Sequence, residues 1–216
     1  MYILLAAATT FEIEPTMALL EKQDFIFNNH EVEVLITGIG QVSATYLLTY
    51  NLHNKKPDLV IQAGIAGSFS TELLPGQTIL IKQDTFGDVG MEEKEIFTTA
   101  FDAGFANKND FPFTDGWLVN KHPSLNGTSF TVVKAITINK VTDSLTQKAQ
   151  LINIFSPQIE TMEGAALHYV CIQENVPFVQ IRSISNEVGE RDKNKWKVKE
   201  AIENLNEGLQ KLINEL

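Results

Sequence analysis

The chain carries one cysteine, Cys171, so no intrachain disulfide can form. That excludes a disulfide-stapled scaffold and fits a reducing compartment. Cys171 falls in an apolar helical stretch, where a small buried residue is expected rather than a reactive thiol. Arginine is also scarce. Only Arg182 and Arg191 stand among 17 cationic residues, against 27 acidic ones, for a formal net charge of −10. A phosphate backbone needs clustered Lys and Arg, so no nucleic-acid partner is expected. No apolar run approaches the ~20 residues of a membrane span, and no membrane association is expected. The segment Met1–Ala8 lacks a basic flank and runs at once into Glu12 and Glu14, so it reads as a buried strand rather than an export signal. The expected location is cytoplasmic. The four histidines, at 30, 53, 122 and 168, show no ligand spacing, and a G-x-G-x-x-G fingerprint is absent. Neither a metal nor a cofactor is expected.

What the chain does hold is an ordinary globular composition, 44% hydrophobic and 20% charged over 216 residues, which suits one domain with a large core. Apolar runs alternate with amphipathic stretches throughout. Strands are expected at residues 2–8, 32–37, 58–63, 78–82, 130–136, 158–161 and 176–184. Helices are expected at 12–22, 42–54, 143–154 with Thr142 or Asp143 as cap, 162–174, and from Val198 to the end, where Ile202, Leu205, Leu209 and Leu212 recur at helical spacing. Residues 88–130 mix Gly, Asn, Asp and Pro without a readable period. This alternation predicts an α/β fold: a three-layer α/β/α sandwich around a central, mostly parallel, twisted sheet. Ligands in such sheets bind beyond the carboxyl ends of the strands. Glu12, Gly38, Gly64, Ile138, Glu163 and Asn186 all fall at or just past expected strand ends.

Those positions have distinct chemistry. Gly64-Ile65-Ala66-Gly67 follows a buried strand and reads as a turn where backbone approaches a ligand closely. Gly38-Ile39-Gly40-Gln41-Val42 opens a helix. A Glu in the first turn of a helix, as at 12, is by default a solvated carboxylate favoured by the helix dipole. On a strand-end rim it can also hold and deprotonate water. Glu163, at a strand–helix junction, can accept two hydroxyl donors at once, as a ribose presents them, with Met162 packing beneath the sugar. Asn186 offers an acceptor and two donors. It can donate to O6 of a 6-oxopurine while still pairing with N7, whereas a mismatched group costs about 1–3 kcal/mol. Arg182 lies within an apolar strand and needs a partner, for which Glu12 or another rim carboxylate is expected.

Two motifs, Glu160-Thr161-Met162-Glu163-Gly164-Ala165-Ala166 and Val179-Gln180-Ile181-Arg182-Ser183-Ile184-Ser185-Asn186, resemble those of the nucleoside phosphorylase and nucleosidase superfamily. The turns at 38–42 and 64–67 recur there too. Adenine-cleaving members have Asp where this chain has Asn186, and Glu where it has Thr161. Within the superfamily, Ser185 to Trp196 and Phe86-Gly87-Asp88-Val89-Gly90 are similar to the futalosine hydrolases. The resemblance implies hydrolysis of the N-ribosidic bond of futalosine, release of hypoxanthine, and a place in a bacterial route to menaquinone. It implies Glu12, Glu163 and Asn186 as the catalytic residues. For substrate binding it implies Met162, Ile65, Ala66 and Gly67, with Thr137 and Ile138 as a wall of the purine site. Arg182 is grouped with them, and Arg191 and Lys193 are candidates for the carboxylated aromatic tail of the substrate, with Phe69, Phe86 or Trp196 against its ring. It also implies a homodimer or larger homo-oligomer as the assembled state. Three readings stay open beside it: a nucleoside phosphorylase, a methylthioadenosine/adenosylhomocysteine nucleosidase, and a nucleoside-binding protein without activity.

Overall fold

The computed structural model describes residues 1–216. Its elements follow in the order β1 (Tyr2–Ala7), α1 (Thr10–Glu21), β2 (Ile26–Phe27), β3 (His30–Ile36), α2 (Gln41–Asn54), β4 (Leu59–Ser68), β5 (Thr78–Asp84), β6 (Gly90–Glu93), β7 (Ile96–Thr99), β8 (Leu118–Val119), β9 (Thr131–Thr137), α3 (Leu145–Phe155), β10 (Ile159–Thr161), α4 (Gly164–Gln173), β11 (Phe178–Glu187) and α5 (Val198–Asn214).

The layering follows from side-chain alternation along the strands. In β1, Ile3, Leu5 and Ala7 pack with Ile13 and Leu20 of α1 and with Leu205, Leu209 and Leu212 of α5. The intervening Leu4 and Ala6 pack on the opposite face, with Leu48 and Leu52 of α2 and Leu167, Val170 and Cys171 of α4. Two helical layers thus cover one sheet, as the sequence predicts. Cys171 is fully buried in the second layer and unpaired.

The sheet runs β10-β9-β5-β11-β4-β1-β3-β2, with β8 added to β5. The pairs β1–β3, β1–β4, β4–β11, β5–β9 and β9–β10 are parallel. A feature absent from the sequence reading is closure. Strand β10 pairs with β9 and also, antiparallel, with β4 through Ile159↔Ser68 and Glu160↔Gly67. The strands β4, β11, β5, β9 and β10 therefore form a ring, which draws residues 67, 160 and 186 toward one point.

Several boundaries differ from expectation. The segment Gly64-Ile65-Ala66-Gly67 is not a turn: β4 continues through it to Ser68, paired with β11. Likewise β11 runs on to Glu187, so Asn186 lies within a strand. The cap of α3 is Ser144, whose hydroxyl accepts from the Gln147 N–H, rather than Thr142 or Asp143. Within 88–130 the structure contains the β6–β7 hairpin, β8, and loops. No helix is long and apolar enough to cross a membrane.

Candidate active site

Beyond the ends of β1, β4, β10 and β11 lies a cleft of about 270 Å³, near the lower end of the ~300–1,000 Å³ usual for ligand pockets. Three carboxylates line it, Glu12, Glu160 and Glu163, together with Asn186, Ser185, Thr9 and Thr161. Phe11, Ile39, Ile65, Val141, Met162 and Trp196 form its apolar walls. No Lys or Arg side chain is among the lining groups.

Glu12 is fixed by the start of α1. One oxygen accepts from both the backbone N–H and the hydroxyl of Thr9, each at 3.1 Å. The other accepts from the Ile65 N–H at 3.1 Å, which ties the helix to β4. The carboxylate is buried, yet a carboxylate has about four lone-pair sites, so it retains capacity toward the cleft.

Glu163 occupies the junction between β10 and α4 and accepts from the Gly40 N–H at 2.9 Å. Gly40 adopts φ +93°, a conformation that glycine takes without a steric penalty, and this aims its N–H at the carboxylate. Burial pushes the Glu163 carboxyl above its ordinary range; the Arg182 charge and the Gly40 N–H pull it back, while the nearby Glu12 charge pushes it up again.

Asn186 enters the cleft through a β-bulge. Ile184 pairs with Ala66 and Asn186 with Gly67, leaving Ser185 as the extra residue. Consecutive strand residues normally face opposite sides, but the bulge lets both Ser185 and Asn186 face the cleft. The Ser185 hydroxyl lies 2.8 Å from Asn186 Oδ1, and Asn186 Nδ2 donates to the Glu187 carbonyl at 2.8 Å. One N–H of the amide is left over for a ligand.

Arg182 is 1% exposed and does not line the cleft. The expected ion pair with Glu12 is not formed. Instead Nη2 donates to Gln62 Oε1 at 2.5 Å. With the Gln180 amide oriented to satisfy its neighbours, its oxygen accepts from Arg182 Nε at 3.2 Å, and its nitrogen donates to His168 Nε2 at 2.8 Å and Asp84 Oδ2 at 3.3 Å. His168 Nδ1 then donates to the Leu118 carbonyl at 2.8 Å. Neutral amides thus take the donors of the guanidinium, while its charge acts on the buried Glu163 and Asp84 carboxyls nearby. Gly64 makes room for this arrangement: a Cβ there would collide with Arg182 Nη1 and come within 2.9 Å of Glu12 Oε1. The glycine therefore serves close approach, not an unusual dihedral.

The remaining sequence-derived candidates divide. Ile65, Gly67 and Met162 line the cleft, whereas Ala66, pointing the other way along β4, packs in the core with Ile184. Thr137 is fully buried behind the site, where its hydroxyl donates to Asp84 Oδ1 at 3.0 Å and accepts from the Ala165 N–H at 2.7 Å. Ile138 packs with Ile136 and Leu151. Val141, not Thr137 or Ile138, lines the cleft on that side of the chain. Arg191 lies at the margin, 3.9 Å from Asp143 and 5.7 Å above the ring of Trp196, which itself lines the cleft. Phe86 packs against Phe113 and Tyr169, and Phe69 against the core.

Glu160 was missed in the sequence. It sits in the three-residue strand β10 and is 5% exposed. Its one readable signal is a charged residue in a short, otherwise uncharged strand next to Met162-Glu163.

Comparison with known proteins bears on the family and the fold. The description "Phosphorylase superfamily" matches residues 11–216. A futalosine hydrolase from Thermus thermophilus is 26% identical over 185 residues, covering 84% of this chain and 80% of its own length. A 5'-methylthioadenosine/S-adenosylhomocysteine nucleosidase from Shewanella halifaxensis is 29% identical, covering 72% of this chain and 68% of its own length. Among solved structures, the native futalosine hydrolase of Helicobacter pylori superposes with a TM-score of 0.83 at 20% identity, over 100% of this chain and 98% of that one. At that identity the likeness bears on the fold.

Proposed function

The chain belongs to the phosphorylase superfamily, and from that premise we propose that it hydrolyses the N-ribosidic bond of a 6-oxopurine nucleoside, with futalosine as substrate and hypoxanthine as the released base. Relatives named as futalosine hydrolase and as methylthioadenosine/adenosylhomocysteine nucleosidase share the coarser activity, that of an N-glycosyl hydrolase acting on a purine nucleoside. The observation that carries the choice of water over phosphate is the cleft lining: three glutamates and no basic side chain. Such a lining repels an incoming phosphate dianion and tolerates neutral water.

In this reading the ribose lies over Met162, with its 2' and 3' hydroxyls donating to Glu163. The Glu12 carboxylate, held by Thr9 and Ile65, orients a water toward the anomeric carbon and takes its proton as the C–O bond forms. The bond to the base nitrogen breaks through an oxocarbenium-like state, and the leaving base takes up the electron pair. Asn186 donates to the base and offsets the charge growing on it. Fixed donors and acceptors supply the rate through preorganisation rather than through a covalent intermediate.

A second reading, release of adenine, is favoured by the relatives named methylthioadenosine/adenosylhomocysteine nucleosidase. In that reading the left-over N–H of Asn186 donates to N7 and Oδ1, with its second lone pair, accepts from the 6-amino group, so the two readings differ in the released base. Chromatography of the products from futalosine, inosine and methylthioadenosine, with and without phosphate, separates these readings. The expected result is hypoxanthine with free sugar in both buffers. Adenine release with untouched hypoxanthine nucleosides, or a sugar 1-phosphate, would overturn the proposal.

A further inference from the structure

Asn206 is the one polar side chain among the buried positions of α5, and it reaches the turn of α1 that carries Glu12. It is 2% exposed and does not line the cleft. Its Oδ1 accepts from the Thr16 N–H at 3.0 Å and from the Thr16 hydroxyl at 2.5 Å. Its Nδ2 donates to the Glu12 carbonyl at 3.0 Å and to the Ile202 carbonyl, one turn back in its own helix, at 2.7 Å. Both N–H groups and both lone pairs of the amide are thus used, which fixes which way round it lies. The Glu12 carbonyl and the Thr16 N–H are the two groups that a regular α-helix pairs with each other. The Asn206 amide straddles that position and ties it to α5. The turn gains support that its own sequence withholds. Pro15 lies inside it and has no N–H, so the Phe11 carbonyl receives no helical bond from it.

Packing alone does not call for an amide here. The neighbouring Leu205 and Leu209 share one apolar cluster with Ile13 and Leu20 of α1. An apolar side chain at 206 would join them without the cost of burying a polar group. What the amide adds is direction, because each of its bonds has a fixed partner and angle. Glu12 is then held at three points. Thr9 and Ile65 fix its carboxylate, and Asn206 fixes the backbone from which the side chain hangs. A shift of that backbone either pulls the carboxylate off Thr9 and Ile65 or turns it out of line with an attacking water, and misplacements of about 1 Å are costly in rate. We infer that Asn206 is a positioning residue for hydrolysis: without touching substrate, it locks the first turns of α1 and so keeps Glu12 aimed into the cleft. This rests on the reading above of Glu12 as the group that takes the proton from water.

Kinetics on futalosine and inosine, for the whole protein and for Asn206→Ala, Glu12→Gln and the double variant, test this, with excess enzyme for the slow variants. Asn206→Ala is expected to lower kcat by roughly 10- to 100-fold, the scale of a misplacement of about 1 Å, with KM changed by less than about threefold. In the Glu12→Gln background the same substitution is expected to cost less than about threefold, because its effect runs through a group already disabled. A purely structural role would lower kcat by the same factor in both backgrounds. That outcome, or a folded Asn206→Ala with parental kcat, overturns the role of Asn206 alone. Should Asn206→Ala not fold, Asn206→Ser is read in the same way, since its hydroxyl turns back to the Ile202 carbonyl and leaves α1 untied. If neither folds, the amide serves the whole fold and a role exerted through Glu12 falls. A parent that hydrolyses neither nucleoside sinks the nucleosidase reading, and near-parental kcat in Glu12→Gln sinks the assignment of Glu12; either removes the premise of this role as well.

Discussion

A single carboxylate, Glu12, is held from both sides, by Thr9 at the start of α1 and by the Ile65 N–H of β4. That double anchoring separates positioning from binding. Glu12→Gln keeps the side-chain shape but cannot take a proton from water. Turnover of the nucleoside is expected to fall by about 10²- to 10⁴-fold, with KM changed little. Steady-state kinetics on the purified variant check this; a variant with near-parental kcat would remove Glu12 from the chemistry. At this scale the sequence was informative where residue type and local motif coincide: Glu12, Met162, Glu163 and Asn186 all meet in one cleft. It was uninformative for Glu160, because the groups that bury it, Gly67, Thr142 and Asn186, come from distant parts of the chain.

Among the elements, β4 shows how packing overrides a local signal. Two glycines within four residues read as a turn, yet the strand continues because β11 supplies its hydrogen-bonding partner and Arg182 fills the space above Gly64. Gly64→Ala places a methyl against the guanidinium and beside Glu12. It is expected to destabilise the fold by about 1–3 kcal/mol and to cut activity further by displacing Glu12. Urea denaturation together with an activity assay checks both; a variant with parental stability and rate would mean that Arg182 moves freely. The strand β11 departs from its expected end for a related reason. Its bulge at Ser185 is a property of the pairing with β4, and residue type alone does not mark it.

For the whole molecule, the polar groups beneath the site couple folding to pH. Asp84 is fully buried, and burial raises its carboxyl from 3.8 to about 7, against the pull of Thr137, Arg182, Thr85 and Gln180. Its folded-state value lies above the unfolded one, so its stabilising contribution is complete below pH 3.8 and is lost as pH rises through about 7. His168 has the opposite sense. Burial lowers it from 6.5 to about 4, so its contribution is present above 6.5 and is lost as pH falls through about 4. Asp84→Asn removes the first effect and keeps the second. Its stability relative to the parent is expected to rise between pH 3.8 and about pH 7 in urea melts, the window set by the Asp84 shift, and to level off above it. A pH-independent difference would show that Asp84 is ionised throughout.

The sequence by itself determined the order of the main elements outside residues 88–130 and the helical layers on the two faces of the sheet. These depend on periodicity, and periodicity is local to a segment. Tertiary structure alone decided that β10 closes onto β4, that Arg182 is satisfied by Gln62 and Gln180 rather than by Glu12, and that Glu160 keeps an oxygen without a partner. Each of those depends on which side chains from distant segments arrive together, and on the cost of leaving a buried charge or dipole unmatched where they meet.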